Sequence, residues 1–75
     1  MKKEEIQEIV EELDSSHKKL VFLIMGWKKR CQRGELTKEE KGEGHAVIWD
    51  IEEARDALKD ATNLLENAVK LLEEK

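Results

Sequence analysis

The sequence predicts an all-α protein, an antiparallel hairpin of two long helices that dimerises into a four-helix bundle. Three observations carry that expectation. Apolar residues recur at heptad spacing along both halves of the chain. The 75 residues include no Pro, no Tyr and one Phe, and 43% of them are charged. Three of the four glycines fall in one central stretch, between Gly34 and Gly44. Such a balance belongs to long solvated helices. A chain of this length also sits near the lower limit at which one polypeptide buries enough apolar surface to fold alone, so extra burial against another chain is expected.

The first helix is read from an unbroken stripe. Ile6, Leu13, Leu20 and Trp27 share one heptad position, and Val10, His17, Ile24 and Cys31 share the other. The spacing predicts a helix from about Lys3 to Arg33, stopped by Gly34 in the left-handed position past its end. "DSSH" at 14–17 resembles a cap, but the stripe keeps its phase through it. The second stripe places Ile51, Leu58, Leu65 and Leu72 at one position, with Val47, Ala54, Ala61 and Ala68 at the other. Large residues alternating with alanine let two antiparallel helices approach closely. This helix is expected over about 45–74, with "DIEE" at 50–53 as an alternative capping box that would start it at Ile51. Between them, "GELTKEEKGEG" at 34–44 is expected as the loop of a single helical domain, with Thr37 and Glu40 capping one short turn inside it.

Both stripes are wider than a lone hairpin needs. Ile9 and Leu23 extend the first on one flank and Val21 on the other; Ile48 and Val69 flank the second on one side, and Ala57, Leu64 and Leu71 on the other. A second hairpin is the economical cover, which makes a homodimer the expected state. Its self-association residues would be Val21, Leu23, Ile24, Trp27, Ile48, Leu64 and Leu71. The run "VFLIMGW" at 21–27 has no polar side chain, and its Phe22 and Met25 fall on the outward side of the first helix, as Trp49 does on the second. Either the loop, with Leu36, folds over these three or an offset dimer covers them, or they dock a protein partner with Lys29 and Arg33 at the rim.

Charge is unevenly spread around the net value of -4. Residues 1–14 carry six acids and two lysines, whereas residues 15–34 carry Lys18, Lys19, Lys28, Lys29, Arg30 and Arg33 and no acid. A basic stretch beside an exposed aromatic suits phosphates and a stacked base, so a nucleic-acid-binding or transcription-regulating dimer is the alternative function. Cations at the end of the first helix also complement its dipole, and Lys28 and Arg30 are expected to pair with Asp50 or its neighbours across the seam. The acidic total and the lack of a base-reading motif favour the protein-interaction reading.

No catalytic or cofactor signature stands out. His17 and Cys31 lie about 21 Å apart along one helix, too far to share a metal ion. Cys31 with His45 supplies two ligands where structural zinc takes four, so no metal is expected. His17 reads as a histidine at the edge of the core and Cys31 as a small apolar residue. Glu8 with Glu11, and Glu53 with Asp56, form acid pairs at i and i+3. Their spacing resembles that of the magnesium-binding acids in all-α nucleotide pyrophosphohydrolases, which would imply a magnesium-dependent enzyme, but a hairpin sets the two pairs at opposite ends. One cysteine excludes an internal disulfide framework, and "MKKEEIQEIVEELD" is too acidic and amphipathic for a signal or transit peptide. The longest apolar run is too short to span a membrane. The expectation is a cytoplasmic, non-enzymatic interaction or regulatory module.

Overall fold

A computed structural model describes residues 1–74 and contains two helices packed against each other as a hairpin: α1, Lys3–Gln32, and α2, Lys38–Glu73. The molecule is a rod of 56 × 16 × 14 Å. Its long dimension is the length of α2, about 54 Å at 1.5 Å per residue.

α1 begins without a side-chain cap, but Glu4 and Glu5 place negative charge at its positive end. Its stop is fully determined by backbone geometry. Gly34 takes φ +71°, the left-handed conformation that costs a side chain-bearing residue energy. That turn lets the Gly34 N–H donate to the Cys31 carbonyl (3.2 Å) and the Glu35 N–H donate to the Arg30 carbonyl (3.0 Å). Two orphan carbonyls at the helix end are thereby satisfied. The next residue in line, Leu36, is buried.

α2 starts at once. Thr37 is its N-cap: the Glu40 N–H donates to Thr37 Oγ1 (3.1 Å), and the Thr37 N–H donates to Glu40 Oε1 (3.0 Å). The hydrogen bond from the Thr37 backbone holds the Glu40 carboxyl below the usual glutamate range, aided by the Thr37 hydroxyl and by nearby Arg30. The cap therefore contributes fully above the ordinary glutamate range and is lost as pH falls through the lowered value. The expected loop over 34–44 is accordingly corrected. The capping box opens a continuous 36-residue helix, not a single turn, and neither His45 nor Ile51 begins α2. Gly42 and Gly44 lie inside it.

The seam follows the first stripe as expected. Ile6 and Ile24 are buried, and Val10, Leu13, His17, Leu20, Trp27 and Cys31 are half-buried along it. On α2 one position of the expected stripe holds, with Ile51, Leu58, Leu65 and Leu72 half-buried, and the other is shifted by one residue. Ile48 and Val69 are buried with Arg55 and Thr62 half-buried between them, while Val47 and Ala54, expected inside, are exposed. Arg55 is held by Asp56 (Nε to Oδ1, 3.1 Å) and Glu52 (4.0 Å), and Thr62 Oγ1 donates to the Leu58 carbonyl (2.9 Å). At the open end Lys3 reaches Glu73 across the hairpin (3.5 Å).

Near the connection, the Trp27 ring occupies the space above Gly44. A Cβ at position 44 would overlap its Nε1, Cε2 and Cζ2 atoms. His45 meets the same indole edge to face, with ring centroids 5.1 Å apart. Gly42 has open space where its Cβ would lie. Gly42→Ala should therefore raise stability by about 0.5–1 kcal/mol through helix propensity alone. Gly44→Ala should lower it by up to about 2 kcal/mol, because overpacking against Trp27 exceeds the same gain. Thermal or urea melts of the two variants check the pair, and equal stabilisation by both would contradict the Trp27 packing.

Candidate functional site

The hairpin is one layer thick, and its two broad sides differ in character. One side is mainly apolar, interrupted by Ser16 and Arg30 on α1 and by Asp50 on α2. On α2, Val47 is followed one heptad later by Ala54, Ala57, Ala61, Leu64, Ala68 and Leu71 at three- and four-residue steps, with exposed Asp50 on the same flank between Val47 and Ala54. On α1, Ile9 and Leu23 lie two heptads apart on the flank that shares a groove with them, where Leu23 and Trp27 face Val47 and Ile51. Ile9, Leu23, Val47, Leu64 and Leu71 remain between 48% and 68% exposed. The other side is polar. Gln7 and Glu11 meet Glu66, Lys70 and Glu73 at the open end, and Asp14, His17 and Lys18 meet Lys59 further along.

The surface area measures how much is left uncovered. The chain exposes 6038 Å². A compact monomer of this mass exposes about 4,700 Å², leaving roughly 1,300 Å² in excess. The radius of gyration, 16.9 Å, likewise exceeds the roughly 11 Å of a compact domain of this length. Only Ile6, Ile24, Leu36, Ile48 and Val69 are buried among the described residues.

The residues expected to mediate self-association divide into three groups. Ile24 and Ile48 are buried inside the hairpin's own seam, so they hold the two helices together, and Ile48 also lines the floor of the groove at the loop end. Val21 is half-buried on the polar side, beside Asp14, Lys18 and Lys59. Leu23, Leu64 and Leu71 lie on the apolar face, and Trp27 forms its floor at the loop end.

Phe22 (72% exposed), Met25 and Trp49 are all on the surface, and the connection does not cover them. Leu36 instead borders a groove with Trp27, Arg30 and Val47. Nor do the three form one patch. Phe22 crests the outer ridge of α1, where Lys29 and Arg33 are also exposed. Met25 shares the polar-side position of Glu11 and Lys18 by heptad spacing. Trp49 lies on the far side of α2, where its Nε1–H donates to Glu53 Oε1 (3.0 Å).

The charged residues also pair differently from expectation. Arg30 lies over Leu36, Glu40 and Glu43, not Asp50, and no ion pair joins Lys28 or Arg30 to the acids at 50–53 among the described residues. Lys18 pairs with Asp14 and Arg33 with Glu35, both at exposed positions where such pairs contribute little. Glu53 and Asp56 are engaged by Trp49 and Arg55. His45 faces Trp27, and among the described residues no three His, Cys, Asp or Glu side chains gather as a metal site. No helix is long and apolar enough to cross a membrane.

Comparison with protein-family models, with curated proteins and with solved structures found no match. The partition between seam and surface is directly measurable. Ile24→Ala should cost about 2–5 kcal/mol as a buried large-to-small change. Phe22→Asp should stay within about 0.5 kcal/mol of the parent. Denaturant melts giving comparable losses for both would place Phe22 in the core.

Proposed function

We propose that this chain is a non-enzymatic interaction module, a helical hairpin whose apolar face is completed by helices of another polypeptide. One observation carries the reading: Ile9, Leu23, Val47, Leu64 and Leu71 line up on one side of a single-layer molecule and stay wet. Single exposed leucines need no explanation, but five large apolar side chains exposed on one side of a hairpin mark an interface. Each of these side chains is already partly covered, so complete burial adds on the order of 1 kcal/mol apiece. Phe22 borders the loop end of the same groove with Arg30, and Lys29 and Arg33 are exposed on the outer ridge of α1.

A second reading rests on the basic ridge of α1, where Lys19, Lys29 and Arg30 carry no ion pair among the described residues and Phe22 stands beside them. That is the arrangement a nucleic-acid strand uses. It ranks second because it leaves the apolar face unexplained.

The face is tested by using the chain as bait in a lysate supplemented with a tagged copy of itself. The parent should retain protein, and a Leu64→Asp, Leu71→Asp variant should retain none while its helical circular dichroism stays within about a tenth of the parent's. Equal retention by the two baits would contradict the proposal.

A further inference from the structure

We infer that the occupant of the apolar face is a second copy of this chain, stacked face to face about a two-fold axis with the two connections at opposite ends. The inference deepens the interaction-module reading and rests on it. Three observations carry it.

The first is area. The rod exposes roughly 1,300 Å² more than a compact chain of its mass, and a pair that removed this excess would bury about 2,600 Å², within the range of obligate homodimers. A short peptide or a single helix would cover only part of a face that runs the length of a 56 Å rod, whereas a copy of the chain has the same length.

The second is register. With connections at opposite ends, α1 lies antiparallel on the partner's α1 and α2 on the partner's α2. On α1, Ile9 then faces the partner's Leu23 when the axis passes Ser16. On α2, Val47 faces the partner's Leu71, Ala54 its Leu64 and Ala57 its Ala61 when the axis passes Lys59. Each helix sets its own axis level, yet one molecule has only one axis, so the two levels must agree. They agree to within about one residue: the Lys3–Glu73 pair sets the two helices level at the open end, and thirteen residues inward from each lie Ser16 and Asp60, the neighbour of Lys59. The residues nearest that axis on the face are Ser16, Ala57 and Ala61, small enough for the two layers to approach closely there.

The third is charge. Residues 1–14 of α1 carry six acids and two lysines, and residues 15–34 carry six bases and no acid. Opposite-end stacking lays the acidic half of each α1 along the basic half of the other, with Glu12 beside the partner's Lys19. Same-end stacking would set the two acidic open ends against each other, a like-charge arrangement that disfavours it.

Cysteine cross-linking tests both the copy and its orientation. In a Cys31→Ser background, Val47→Cys and Leu71→Cys are introduced together. Within one chain these positions are about 36 Å apart along α2 and cannot join, so any disulfide between them links two chains. Mild oxidation should convert most of the double variant to linked dimer, at least tenfold more than either single-cysteine chain. A second pair, Ile9→Cys with Leu23→Cys, about 21 Å apart in one chain, should behave alike. Equal linking of the single-cysteine chains, or no linked dimer from either pair, overturns the inference. If no dimer links but Leu64→Asp, Leu71→Asp still abolishes capture of other proteins, the interaction-module reading survives and the occupant is a different protein. If capture is also unchanged, both fail.

Discussion

The controlling constraint on this molecule is geometric: two long helices present more apolar surface than one seam between them covers. Each helix carries a stripe roughly three positions wide per heptad, and a hairpin places only the inward edge of each stripe against its partner. Four of the five buried side chains, Ile6, Ile24, Ile48 and Val69, are spread thinly along the rod, and half-buried Arg55, Thr62 and His17 interrupt them. On the flank from Val47 to Leu71, Val47, Leu64 and Leu71 are left facing outward, with Ala61 and Ala68 half-buried between seam and surface. Arg55 and Thr62 have local partners, Arg55 with Glu52 and Asp56 and Thr62 with the Leu58 carbonyl, so they do not open the seam. The apolar flank has none, and the functional reading follows from that asymmetry between the two broad sides.

The loop end sets the rest. Gly34 ends α1 and Thr37 begins α2 with almost nothing between them, so the chain reverses within a few residues. So short a reversal brings the first turns of α2 alongside the last turns of α1 and puts Gly44 directly under Trp27. The missing side chain at Gly44 is what allows the indole to lie down there. Leu36 then borders a groove with Trp27 and Arg30 at that end of the rod. These contacts seat Leu23, Trp27, Val47 and Ile51 in one groove at the head of the apolar face.

Much of this was legible in the residues. The heptad stripe of α1, its bounds and its stop at Gly34 follow from spacing and from one glycine. The capping box of Thr37 and Glu40 was visible too, but Gly42 and Gly44 argued against continuing a helix through it. A glycine costs only about 1 kcal/mol in a helix interior, and at Gly44 the packing of Trp27 reverses the local preference. The phase of the α2 seam was ambiguous for a different reason. Val47, Ile48 and Ile51 are all apolar, so a stripe fits either side of Ile51, and only contact with α1 selects Ile48 over Val47. Arg55 could not be placed in the seam from spacing, since its anchoring carboxylates are ordinary neighbours on a solvated helix. Phe22, Met25 and Trp49 were correctly read as outward, but their division among three surfaces depends on how the two helices are rotated about the seam.

The central claim is that the hairpin is half of a folded unit whose apolar face is covered by its own copy. Sedimentation equilibrium of the pure chain across a hundredfold dilution tests it most directly. The account predicts twice the mass of one chain over most of that range. A single-chain mass throughout, from a chain that still unfolds cooperatively, would contradict it.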